Sequence, residues 1–121
     1  MRSGFPLAVP GLLLALSAAA GEPTYQGFLD QVTQSPDCRM QDGTDMTVYA
    51  CASTGTWWYF TKPGNPAHPS VATRVVTQTG RGAYHTSEHG WWFAGSSAAA
   101  FQVFFQQVTA QDHQNAPPNS P

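Results

Sequence analysis

His85, Glu88 and His89 form an H-x-x-E-H run, the nearest approach to a metal-hydrolase pattern in this 121-residue chain. On a helix, two histidines one turn apart would hold zinc and the glutamate would activate water. The run is instead flanked by Gly82 and Gly90 with β-prone neighbours, which predicts a strand or a loop. On a strand both imidazoles face one side about 13 Å apart, at roughly 3.3 Å per residue, which is too far to share a metal. Only a tight turn, with His68 as a third ligand, would bring a zinc or copper site together. The expectation is therefore of solvated histidines without metal or cofactor, and a metal-dependent hydrolase at His85, Glu88 and His89 stands last among the functional readings.

Other catalytic constellations are scarce. Ser96 and Ser97 stand where a helix N-cap is expected, and capping accounts for them. There is no G-x-S-x-G elbow and no glycine-rich phosphate loop. Beyond Glu22, Glu88 is the only glutamate outside the leader, so a glycosidase pair would have to recruit Asp37, Asp42 or Asp45. Cys38 and Cys51, the only two cysteines, lack the two-residue spacing of a redox pair and are expected to bond to each other. Such a bridge removes chain entropy worth roughly 3 kcal/mol from the unfolded state.

Two features suit binding. Residues 63–69 read Pro-Gly-Asn-Pro-Ala-His-Pro, and the prolines hold the backbone stiff, which lowers the entropy lost when a partner docks. Asn65 and His68 are the polar candidates on that loop. The second feature is a surplus of aromatic rings: Trp57 and Trp58 in Thr56-Trp-Trp-Tyr-Phe-Thr61, and Trp91 and Trp92 further on. Exposed rings could stack on sugars or anchor a protein partner, whereas buried ones are core.

These residues need elements to position them. Tyr25, Phe28, Leu29 and Val32 fall at the spacing of one helical face within residues 23–34, and Pro36 ends the run. Phe101, Phe104, Phe105 and Val108 repeat the spacing within residues 98–112. Between them the pattern predicts strands at residues 45–52, 56–61, 71–79 and 83–86, with a short turn at Ser53, Thr54 and Gly55 and another at Gly80 to Gly82. Whether residues 90–93 add a fifth is left open by the pattern. The expected fold is α+β: a small antiparallel sheet of three to five strands, flanked by an N-terminal and a C-terminal helix on one face, with one disulfide. Alternation along 56–61 puts aromatics on both sides of the sheet, so with both helices on one side some rings should stay exposed or lie under the proline loop.

Residues 1–20 read as a secretory signal: a basic start at Arg2, an apolar stretch of about a dozen residues that is too short to span a bilayer, and an Ala18-x-Ala20 exit. The expected organisation is this signal, one domain at 21–114 and a disordered Pro/Asn/Ser tail at 115–121. Without Arg2 four basic side chains face seven acidic ones, and with no basic cluster nucleic acid is not an expected partner. Only 10% of the chain is charged, against the usual quarter or so, a composition suited to an exported surface. The function expected is that of a small noncatalytic binding protein of the bacterial envelope, periplasmic or secreted, acting as inhibitor or adaptor for another exported protein. A cell-wall carbohydrate binder using its tryptophans is the alternative, and no membrane span should remain after cleavage.

Overall fold

A computed structural model describes residues 22–111 and 116–118. The expected signal at 1–20, and residue 115 and residues 119–121 of the tail, lie outside the described residues. Helix α1 (Tyr25–Thr33) is followed by strands β1 (Cys38–Asp42), β2 (Met46–Cys51), β3 (Thr56–Thr61), β4 (Ser70–Gly80) and β5 (Ala83–Trp92), then by helix α2 (Ala98–Thr109). The strands form one antiparallel sheet in the order β1-β2-β3-β4-β5. The fold is thus α+β with the Cys38–Cys51 disulfide in place.

Local chemistry sets the helix starts. Thr24 caps α1 by accepting from the Gly27 amide at 2.9 Å, and Ser97 caps α2 by accepting from the Ala100 amide at 3.1 Å. Thr56–Thr61 is a strand over its expected bounds, and the expected strands at 45–52 and 71–79 are each within one residue of β2 and β4 at either end. Residues 83–86 and 90–92 prove to be parts of one strand, β5, which pairs with β4 along its length, with a register shift near Gly80. The turn before it uses Gly82 at φ 70°, a left-handed conformation that glycine adopts without a Cβ penalty. At Ala52–Thr54 the chain makes a 3-10 turn rather than a plain hairpin turn, closed by Gly55 at φ 63°.

One arrangement departs from expectation: the helices do not share a face. Directly paired residues in an antiparallel sheet project to the same side. The pairs Thr47↔Phe60, Phe60↔Val71 and Val71↔Trp91 therefore mark one face, and Val48↔Tyr59, Tyr59↔Ala72 and Ala72↔Gly90 mark the other. On the first face Phe60, Tyr49 and Val71 pack with Val32, Phe28 and Leu29 of α1. On the second Tyr59 and Ala72 pack with Phe101, Phe104 and Val108 of α2. The physical reason lies in β3, whose consecutive aromatics point to opposite sides. A helix on each side removes Phe60 and Tyr59 alike from water, and full burial of such a ring is worth about 1.5–3 kcal/mol.

Residues 116–118 of the tail meet the domain. The Ala116 carbonyl accepts from Trp57 Nε1 at 3.0 Å, and Pro118 is buried. Residues 116–118 thus lie against the domain, where the carbonyl supplies the indole N–H with an acceptor and the proline ring buries apolar surface. Arg74, 1% exposed, ties the sheet to the end of α2. Its guanidinium donates to the carbonyls of Val108 (2.8 Å) and Gln111 (2.7 Å), and Nε donates to Glu88 Oε2 (3.2 Å). Burial pushes the Tyr59 phenol well above its ordinary value; Arg74 draws it down and Glu88 raises it further.

Candidate binding surface

The H-x-x-E-H residues lie in β5, where alternation separates them. His85 is opposite Thr77 and His89 opposite Thr73, on the α1 side of the sheet. Glu88 is opposite Arg74 on the α2 side, and its carboxylate accepts from Arg74. His68 sits beside the start of β4, whereas His85 pairs seven residues along that strand from Ser70, roughly 20 Å away. The hydrolase constellation is therefore not assembled. Among the described residues no group of three or more His, Cys, Asp or Glu side chains converges on a point that could hold a metal.

The proline loop turns its polar candidates inward. Asn65 is 9% exposed. Its Oδ1 accepts from the Ala67 amide at 2.9 Å and its Nδ2 donates to the Asp45 carbonyl at 3.0 Å. His68 Nδ1 lies 3.0 Å from both the hydroxyl and the carbonyl of Thr61, and its ring meets Tyr25 edge-on at 5.1 Å. Tyr25 donates its own hydroxyl to the Thr61 carbonyl, and burial raises its phenol above the ordinary value. The His68-Pro69 peptide is cis. Asn65 and His68 are thus fasteners of the loop, and Pro63, Gly64 and Pro66 form its exposed rim.

The tryptophans divide in the same way. Trp58 is half-buried, with Phe60 stacked at 5.9 Å and Phe28 at 5.3 Å, and Trp91 packs on Phe28 at 4.7 Å. Trp57 is half-buried on the α2 side and bonded to Ala116. Trp92, at 48% exposure, is the most exposed of the four tryptophans, with one side on Phe101.

A groove opens between the proline loop and α2. Its apolar lining is Pro66, Ala67, Ala100, Val103 and Phe104, with Asp45, Asn65 and Gln107 at the rim, around a volume of about 250 Å³. Both walls are held: the loop by Asn65, and α2 by the Ser97 cap and by buried Phe104. Val103 is 57% exposed, so apolar surface continues from the groove onto the helix. Ligand pockets usually enclose about 300–1,000 Å³. This smaller open groove suits one apolar side chain of a larger partner better than a free substrate. The helical half of it was not among the sequence candidates. The signal that could have found it is Val103, an apolar residue off the Phe101, Phe104 and Val108 stripe.

A second hollow of about 140 Å³ lies beside the disulfide, lined in part by Val32, Asp37, Ser53 and Trp58. There Asp37 accepts from both the amide and the hydroxyl of Ser53, bonds that hold its carboxyl below the ordinary value. Hydrogen bonding to Lys62 does the same for Asp42, whose ion pair with Lys62 spans 2.8 Å. Comparison with protein-family models, curated proteins and solved structures finds no match.

Proposed function

We propose that this chain is a small exported binding protein that docks a protein partner through the groove between its proline loop and α2. The observation that supports this most is the groove: apolar, preformed, fastened on both sides, and continued by exposed Val103 and Pro66. Preformed walls lower the ordering cost of association, and an apolar anchor seated in such a slot is the usual source of binding energy. The disulfide is compatible with an oxidising compartment, periplasmic or extracellular, and no described helix is long and apolar enough to cross a membrane. An inhibitor or adaptor of another exported protein is the role that a docking groove without assembled catalytic groups serves.

The sugar-binding alternative now rests on Trp92, the most exposed of the four tryptophans. The two readings separate in one experiment. The oxidised domain is immobilised and offered envelope extract and insoluble cell wall, alongside Val103→Glu and Trp92→Ala variants. Retention of one stoichiometric protein, lost with Val103→Glu and kept with Trp92→Ala, supports docking at the groove. Retention on wall material that Trp92→Ala abolishes would replace that reading with sugar binding.

A further inference from the structure

The two edges of the sheet are unequally defended. Backbone groups at an edge strand are open to pairing with another chain, and proteins usually blunt such edges with charge, proline, short length or cover. At the β1 edge, the Ala52 amide donates to Asp37 and the Gly43 amide to Met46, so odd-numbered residues face β2 and Cys38, Met40 and Asp42 face outward. The Cys38 amide is already bonded to Ser35, and the strand is five residues long with Arg39 and Asp42 on it. That edge is short and charged, and its first outward amide is taken.

The β5 edge is different. The Phe93 amide donates to the Pro69 carbonyl, in continuous register with the pairs Trp91↔Val71 and His89↔Thr73. In an antiparallel ladder the N–H and C=O of one residue point the same way and successive residues alternate. Hence odd-numbered β5 residues bond to β4, and the backbones of Tyr84, Thr86, Glu88, Gly90 and Trp92 point away from the sheet. Among the described residues no strand pairs with that side. The strand is ten residues long with no lysine or proline, and its one carboxylate, Glu88, is turned onto Arg74.

We infer that β5 is a self-association edge: it pairs antiparallel with β5 of a second copy about a two-fold axis at Ser87. In this register Tyr84 faces Gly90 of the second copy and Thr86 faces its Glu88, each pair exchanging two backbone bonds, about eight in all. Ser87 faces Ser87, and His85 faces His89 of the second copy, in the closer non-hydrogen-bonded positions. The Tyr84 ring, 44% exposed in one copy, is then brought to Gly90 of the second copy, whose α2 side is already covered by Phe101 and Phe105. The neighbouring registers are poorer. One sets Glu88 against Glu88, a like-charge pair, and the other gives up one of the bonded pairs. The H-x-x-E-H run thus becomes a pairing strand whose histidines meet across the interface.

Sedimentation velocity on the oxidised domain over a wide concentration range tests this without any variant: a monomer–dimer equilibrium is expected. Ser87→Cys reads the register. The two Cα atoms at a non-hydrogen-bonded position stand about 4.5 Å apart, within reach of a disulfide, so air oxidation should give covalent dimer. Thr86→Cys, whose copies lie about 7–8 Å apart on the diagonal, should not. Thr86→Pro removes an outward donor without touching the β4 ladder and should weaken the dimer at least tenfold. A monomer at every concentration overturns the inference. So does equal cross-linking of the two cysteine variants, or a series running past dimer, which would mean that β5 adds head to tail onto β1.

Discussion

Asn65→Ala tests whether the proline loop is held as the structure indicates. The substitution leaves the Ala67 amide, on a residue 1% exposed, without its acceptor, and leaves the Asp45 carbonyl with the Lys62 amide as its donor. A buried orphan amide costs about 1–3 kcal/mol, whereas a carbonyl on an exposed residue can turn to water and costs less. The sum is about 1–3 kcal/mol out of a stability of about 5–13 for a domain of this size. At about 4–8 °C per kcal/mol for so small a domain, the melting temperature should fall about 4–24 °C. Asn65→Asp refines the test. It keeps the acceptor for Ala67 but sets a carboxylate against the Asp45 carbonyl, which raises the folded-state pKa of the new carboxyl. A raised pKa gives stability that is present at low pH and lost as pH rises through the folded value. Urea titrations of wild type and both variants at pH 7 and pH 5 read this directly. Asn65→Asp should lie closer to wild type at pH 5. An Asn65→Ala variant within about 0.5 kcal/mol of wild type would refute the reasoning.

Three further outcomes follow from the packing. Gly90 lies beneath Phe101, and a Cβ there would run into that ring, so Gly90→Ala should lower the urea midpoint by the equivalent of about 1–3 kcal/mol and expose α2 to proteolysis. Replacing Cys38 and Cys51 together with alanine should cost roughly 3 kcal/mol, seen as a lower midpoint that dithiothreitol no longer shifts. Hydrogen bonding holds the Asp37 carboxyl below its ordinary value, so it contributes stability above the ordinary carboxylate range that is lost as pH falls through the lowered value; Ser53→Ala should flatten that part of the acid-unfolding profile.

How far the sequence discloses this fold depends on the kind of signal each element carries. α2 is legible because Phe101, Phe104 and Val108 keep helical spacing and become its buried side. β3 is legible because six β-prone residues run between turn signals. β1 is not, since Cys-Arg-Met-Gln-Asp is a mostly exposed edge strand with no apolar alternation to betray it. The length of β5 is hidden for a related reason: Thr86 to His89 is a polar run with no apolar alternation to mark a strand. The placement of the helices on opposite faces was implicit in the alternating rings of β3, but nothing local states which face a distant helix takes. The loop half of the groove could be named from its prolines. The inward turn of Asn65 and His68 could not, because their acceptors lie about 20 and 7 residues away in sequence.

The most direct measurement of the central claim is contact at the groove itself. A photo-crosslinking residue is placed at Val103, and in a control chain at Arg81 on the distant β4–β5 turn, in the oxidised domain exposed to envelope extract. Docking at the groove predicts one covalent adduct of defined mass from position 103, absent from position 81 and suppressed by Pro66→Glu. No adduct at 103, or the same adduct at both positions, would contradict it.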